Sequence, residues 1–173
     1  RFKTHLQRLT ERPHVAGSAT NEEVQRYMSE VMQAAGFEVE AYPYDVFLPA
    51  TPGQSMIEIV TPRRQTLTQQ EDVLEEDPFS SDPLLWKGWN SFSGSGDVTA
   101  EVVYVNYGTK QDFEQLEALG VSVKGKIAIA RYGGNFRGYK AKFAEAHGAS
   151  GLIIFSDPED NGFARGLAYP DGP

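Results

Sequence analysis

The chain has 173 residues, 40% of them hydrophobic, which suffices for one domain or for one domain plus part of another. Its formal net charge is -8, from 24 acidic and 16 basic residues, which disfavours any partner held through a phosphate backbone and sets nucleic acid aside. It contains no cysteine, which excludes a disulfide framework, a cysteine zinc site and a thiol nucleophile, and no run approaches the roughly 18 apolar residues of a membrane span.

Phe2, Leu6 and Leu9 recur at helical spacing and predict a helix over residues 1 to 12, stopped by Pro13. After the turn Pro13-His14-Val15-Ala16-Gly17-Ser18, a second helix is expected from about 20 to 35. Its expected N-cap is Thr20, with Glu23 three residues on, and its expected stop is Gly36. Val24, Tyr27, Met28, Val31, Met32 and Ala35 form its apolar stripe. Residues Phe37 to Tyr42 alternate like a half-buried strand that Tyr44 to Leu48 extends.

Pro49-Ala50-Thr51-Pro52-Gly53 is a natural boundary, so the chain is expected to divide into residues 1–52 and 53–173. Met56 to Val60 predicts a strand. Residues 62 to 99 show no period and carry the acidic cluster Glu71, Asp72, Glu75, Glu76, Asp77 and Asp82, which reads as a solvated loop. Beyond residue 100 the pattern sharpens. Glu101–Tyr107 predicts a strand, and Lys110–Leu119 a helix with Phe113, Leu116 and Leu119 on one face. Ile127–Arg131 predicts a second strand, and Gly138–His147 a helix with Tyr139, Phe143 and Ala146 aligned. The apolar run Gly151–Ser156 predicts a strand buried on both faces. This order implies a small α/β sheet with short connections. Both ends read as trimmed, since Arg1 follows no initiator Met and Tyr169-Pro170-Asp171-Gly172-Pro173 closes no element.

His5, His14 and His147 are the three histidines, and no two share the i, i+4 spacing that places two imidazoles on one helix face. No metal ligand set is expected. The serines of Asn90-Ser91-Phe92-Ser93-Gly94-Ser95-Gly96 fall in a loop rather than on a strand-to-helix elbow, so no nucleophile triad is expected either. Gly133-Gly134-Asn135-Phe136-Arg137-Gly138 follows a strand and opens a helix, yet lacks a nucleotide-binding fingerprint. The start of a helix offers free N–H groups to an anion, and Arg137 carries the planar fork that matches a carboxylate. Two readings of Arg137 stand on the residues alone: a grip on a carboxylate ligand, or an ordinary arginine, exposed or paired with a local acid. The second is the default for a surface charge.

Several separated motifs resemble one family in the same order. They are Val103-Tyr104-Val105-Asn106-Tyr107-Gly108, Gly125-Lys126-Ile127-Ala128-Ile129-Ala130-Arg131-Tyr132-Gly133, Phe136-Arg137-Gly138 and Ala149-Ser150-Gly151-Leu152-Ile153-Ile154-Phe155-Ser156-Asp157-Pro158. Pro13-His14-Val15-Ala16-Gly17, Tyr44-Asp45-Val46 and Tyr169-Pro170-Asp171-Gly172 join them. Together they resemble the protease-associated (apical) domain, and the segment before it, of the glutamate carboxypeptidase II and transferrin receptor family of di-zinc peptidases. The likeness is weakest from 61 to 90.

The resemblance implies an α/β fold. A protease-associated (PA) domain with a small mixed sheet and flanking helices would follow two helices and a strand of an incomplete zinc-peptidase domain. It implies that Arg137, with Phe136 beside it, helps bind the α-carboxylate of a substrate's C-terminal residue. It also implies that the zinc ligands and the general base lie downstream, so this chain alone is expected to be inactive, with no catalytic and no metal-binding residue. The full-length parent is then expected to be an extracytoplasmic zinc exopeptidase holding two zinc ions and acting on peptides or acidic dipeptides. Its partners would be the remainder of the peptidase domain and a second copy in a homodimer. The alternative is a non-catalytic protein-binding module of the transferrin receptor type.

Overall fold

The computed structural model describes residues 2–49, 51–88, 90–160 and 165–167. The terminal Tyr169-Pro170-Asp171-Gly172 motif, like Ala50 and Trp89, lies outside the described residues. The chain divides into two compact units, Arg1–Ser93 and Gly94–Pro173.

The first unit holds helix α1 (Phe2–Leu9), helix α2 (Ala19–Ala34) and the strands β1 (Ile57–Ile59) and β2 (Gln65–Leu67). Helix α1 stops short of the expected residue 12, because a residue preceding proline is driven out of the helical region and Pro13 does this to Arg12. The N-cap of α2 is Ser18, not Thr20. Gly17 at φ +79° turns the chain so that Ser18 is extended, and its Oγ accepts from Asn21 N at 3.2 Å. Thr20 is buried in the first turn, with its hydroxyl 2.9 Å from that of Ser18.

Residues 37–49 form no strand, contrary to the alternation of their side chains. A strand needs a partner ladder. None reaches this segment among the described residues, and Tyr44 and Phe47 stand 80% and 90% exposed. Strands β1 and β2 pair antiparallel with Ile57 opposite Leu67. Strand β2 falls in the stretch that reads as irregular, and only its pairing with β1 reveals it.

The second unit is a parallel sheet with two helices. Its elements are β3 (Val102–Tyr104), α3 (Lys110–Ala118), β4 (Ile127–Arg131), α4 (Arg137–Ala146) and β5 (Gly151–Phe155), with strand order β3-β4-β5. Ala128 and Ala130 alternate on the central strand and are fully buried. They share a cluster with Val105, Val123, Phe113 of α3 and Ala144 of α4, so the small alanines let both helices approach the sheet.

Among the described residues strand β5 pairs with β4 alone and is half-buried throughout, not buried on both faces, because it is the edge of the three-stranded sheet they form. Two helical faces also differ from expectation. Leu119 of the expected α3 stripe is exposed because it is the C-cap, past the last packed turn. On α4 the inward residues are Lys140 and Ala144, while Tyr139 and Ala146 are exposed. The face is rotated because the Lys140 ammonium binds carbonyl oxygens beneath the helix.

Helices α2, α3 and α4 end in the same way. Gly36, Gly120 and Gly148 adopt positive φ. The next residue's N–H then donates back to the carbonyls of Met32, Leu116 and Ala144.

Candidate functional site

At the carboxyl edge of the parallel sheet, the edge where open α/β sheets offer loops to ligands, the chain leaves β4 through Tyr132, Gly133 and Gly134. Gly134, at φ +73°, lies flat on Tyr107, and a Cβ there would stand 2.6 Å from the ring. Only glycine fits this approach. Asn135 donates to the carbonyl of Gly108 at 3.2 Å, tying the loop to the turn after β3. Phe136 is the N-cap of α4 and offers no side-chain bond, so the N–H groups opening the helix stay uncapped by any side chain.

Arg137 is the first residue of α4. Its side chain is exposed, its guanidinium carbon lies 5.9 Å from the centre of the Tyr132 ring, and none of the described carboxylates forms an ion pair with it. Phe136 is 70% exposed and meets Tyr139 edge-on at 6.4 Å. Both residues singled out by sequence therefore lie together at an open lip.

Arg131 shows the opposite arrangement. Its side chain is 12% exposed and forms ion pairs with Asp157, Glu159 and Asp160, at 2.8 Å in the last case. It also stacks 4.6 Å from the centre of the Tyr107 ring. Burial works against its charge, but Asp157 and Asp160 outweigh burial and hold the guanidinium above its ordinary range. The Tyr107 hydroxyl donates to Asp160 at 2.7 Å, and this bond raises the phenol above its ordinary value.

Beneath the loop sits a group that the pattern of apolar residues does not reveal. Lys140 is fully buried, and its ammonium donates to the carbonyls of Tyr107 and Gly133 and, at 2.7 Å, to Asn135 Oδ1. Burial pushes it down from the usual lysine value, opposed by the attraction of Asp112. A lysine in the first turn of an amphipathic helix ordinarily reads as solvent-facing, and the acceptors that draw this one inward are backbone and loop groups without a sequence signature.

The histidines are engaged locally. His5 Nδ1 lies 2.7 Å from the Tyr27 hydroxyl and His14 Nδ1 lies 3.0 Å from the Arg12 carbonyl. His147 bonds the Phe143 carbonyl at 2.8 Å, approaches Glu117 at 3.3 Å and stacks on Phe113. Among the described residues no three His, Cys, Asp or Glu side chains come together as a metal site. The arrangement thus presents an exposed guanidinium beside a helix start that no side chain caps, a chemistry that suits an anion.

Residues 98–172 match the PA domain family, so the sheet and helices of the second unit are a PA domain. A probable glutamate carboxypeptidase of Arthroderma benhamiae is 44% identical over 92% of this chain, and a glutamate carboxypeptidase 2 homolog of Caenorhabditis elegans is 35% identical over 92%. The chain spans only 22% and 21% of those two proteins, about a fifth of their length. Among solved structures, an aminopeptidase from Aneurinibacillus sp. strain AM-1 superposes with a TM-score of 0.52 at 26% identity. That match covers 89% of this chain and 31% of that one. The chain belongs to the glutamate carboxypeptidase II-like peptidase family with a PA domain.

Proposed function

We propose that this chain forms the lid side of the substrate pocket of a zinc-dependent exopeptidase and binds the substrate's C-terminal carboxylate through Arg137. The observation that carries the reading is the exposed guanidinium at an uncapped helix start, free of any ion pair with a described carboxylate. A bidentate, charge-assisted contact there would orient a peptide terminus, with Phe136 as its apolar flank. In this reading the two zinc ions and the general base would be supplied by the rest of the parent, and among the described residues no three His, Cys, Asp or Glu side chains come together as a metal site. No hydrolytic step is assigned to any residue here.

In this reading residues 1–52 belong to the peptidase body and 53–173 to the apical domain. The exposed apolar side chains of Phe2, Leu6, Met28 and Met32 would be covered by the rest of the peptidase domain. The family resemblance extends the proposal to a homodimeric parent outside the cytoplasm.

The test is steady-state kinetics of the full-length protein. Arg137→Ala is expected to raise KM by about 10- to 100-fold for peptides with a free C-terminal carboxylate, the loss of one charge-assisted bidentate contact. Arg137→Lys should recover only part of it, because a point charge lacks the fork. Unchanged kinetics in Arg137→Ala would remove the carboxylate role.

A further inference from the structure

The loop that carries Phe136 and Arg137 has no anchor of its own at the helix cap, because Phe136 contributes no capping bond. Its two glycines, Gly133 at φ +94° and Gly134 at φ +73°, give it the greatest backbone freedom in this part of the chain. The Lys140 ammonium opposes that freedom. Its three hydrogens meet three acceptors: Tyr107 O at the sheet edge, Gly133 O at 2.5 Å and Asn135 Oδ1 at 2.7 Å. None of the described carboxylates forms an ion pair with it, so the bonds are all to the loop and to the turn after β3. A buried ammonium is costly unless every donor is matched, and here every donor is matched by the segment that leads into Arg137. An apolar side chain of equal volume would fill the space yet leave the Asn135 amide oxygen without this donor and the Gly133 carbonyl with only the Asn135 N–H, and the loop would turn toward water to replace the lost bonds.

We propose that Lys140 is a positioning residue whose ammonium locks the 133–136 loop and so fixes the direction in which Arg137 projects. The role rests on the carboxylate-binding reading of Arg137, and it adds the buried device that makes the lip rigid. Asn135 is its second half, accepting from Lys140 while donating to the Gly108 carbonyl. Preorganising a binding arginine in this way lowers the cost of ordering it when ligand arrives.

The experiment compares Lys140→Met, Arg137→Ala and the double variant in the full-length protein, by hydrogen exchange and by kinetics. In Lys140→Met the peptide covering residues 133–139 should exchange about tenfold faster, while β4 keeps its protection. KM should rise about tenfold for a peptide ending in a free glutamate, with kcat within about twofold, and should not change for the same peptide as its C-terminal amide. In the Arg137→Ala background, Lys140→Met should add nothing further to KM, because the two act as one unit. Unaltered loop exchange, or a KM effect that adds in full to Arg137→Ala, overturns the Lys140 role alone. Faster loop exchange with normal KM in Arg137→Ala overturns the carboxylate reading instead. If Lys140→Met loses β4 protection, Asn135→Ala takes its place and should shift loop exchange and KM in the same direction by less; no shift in either overturns the role.

Discussion

Val105, Phe113, Val123, Ala128, Ala130 and Ala144 are buried in the second unit, and no apolar side chain described in the first unit is. The local sequence is equally well formed in both. Helix α2 has a serine cap and a glycine stop as sound as the threonine cap and glycine stop of α3. What separates the units is a second layer. Helices α3 and α4 close on a sheet, whereas the apolar side chains Met28 and Met32 of α2 and Phe2 and Leu6 of α1 remain exposed. Capping and periodicity start and stop a helix but contribute little of the burial that stabilises a fold.

The sharpest break of that contrast is a matched pair of truncations. Phe113→Ala should cost about 3–5 kcal/mol by opening a cavity in the packed unit. Phe47→Ala, at 90% exposure, should stay within about 0.5 kcal/mol. Denaturant melts of the chain compare the two, and equal losses would mean that the first unit hides a core.

Gly134→Ala comes next, at about 2–4 kcal/mol, because its Cβ would meet the Tyr107 ring at 2.6 Å in a left-handed conformation. Gly36→Ala, with nothing within 4 Å, should lose only the conformational part, about 1 kcal/mol.

A smaller effect than that of Gly134→Ala concerns Asp112, which accepts from Thr109 N at 2.9 Å and Asn106 Nδ2 at 2.8 Å while Thr109 caps α3. Asp112→Ala should cost about 1 kcal/mol. Burial pushes this carboxyl up, but the bonds from Asn106 and Thr109 outweigh it and hold the carboxyl below its usual value. A depressed acid stabilises the fold above its unfolded pKa of about 4 and loses that contribution as pH falls through the lower folded value. The difference in thermal midpoint between the native chain and Asp112→Asn should therefore shrink below about pH 4. A difference that grows there would reverse the sign argued for this carboxyl.

The elements of the second unit were legible because each apolar run is bounded by a glycine or a cap. Ile127–Arg131, for one, is predicted and found residue for residue. Faces were less legible. Sequence placed Tyr139 and Ala146 inward on α4, yet the buried residues are Ala144 and Lys140, the latter drawn in by carbonyls of the preceding loop and of the distant turn after β3. Strand β2 and the failed strand over 37–49 share a cause, since a ladder depends on a partner and not on the alternation of one segment. Arg137 and Phe136 were found from their place at a strand-to-helix loop, while the ammonium beneath them left no trace in spacing.

The strands β3, β4 and β5 all point the same way, so the turns that enter β4 and β5 lie at the end of the sheet opposite Arg137. Ser122 is exposed in the first of these turns, and in this cysteine-free chain Ser122→Cys would take a thiol-reactive fluorophore there, reporting on the unit from a distance while leaving the loop before α4 as it stands.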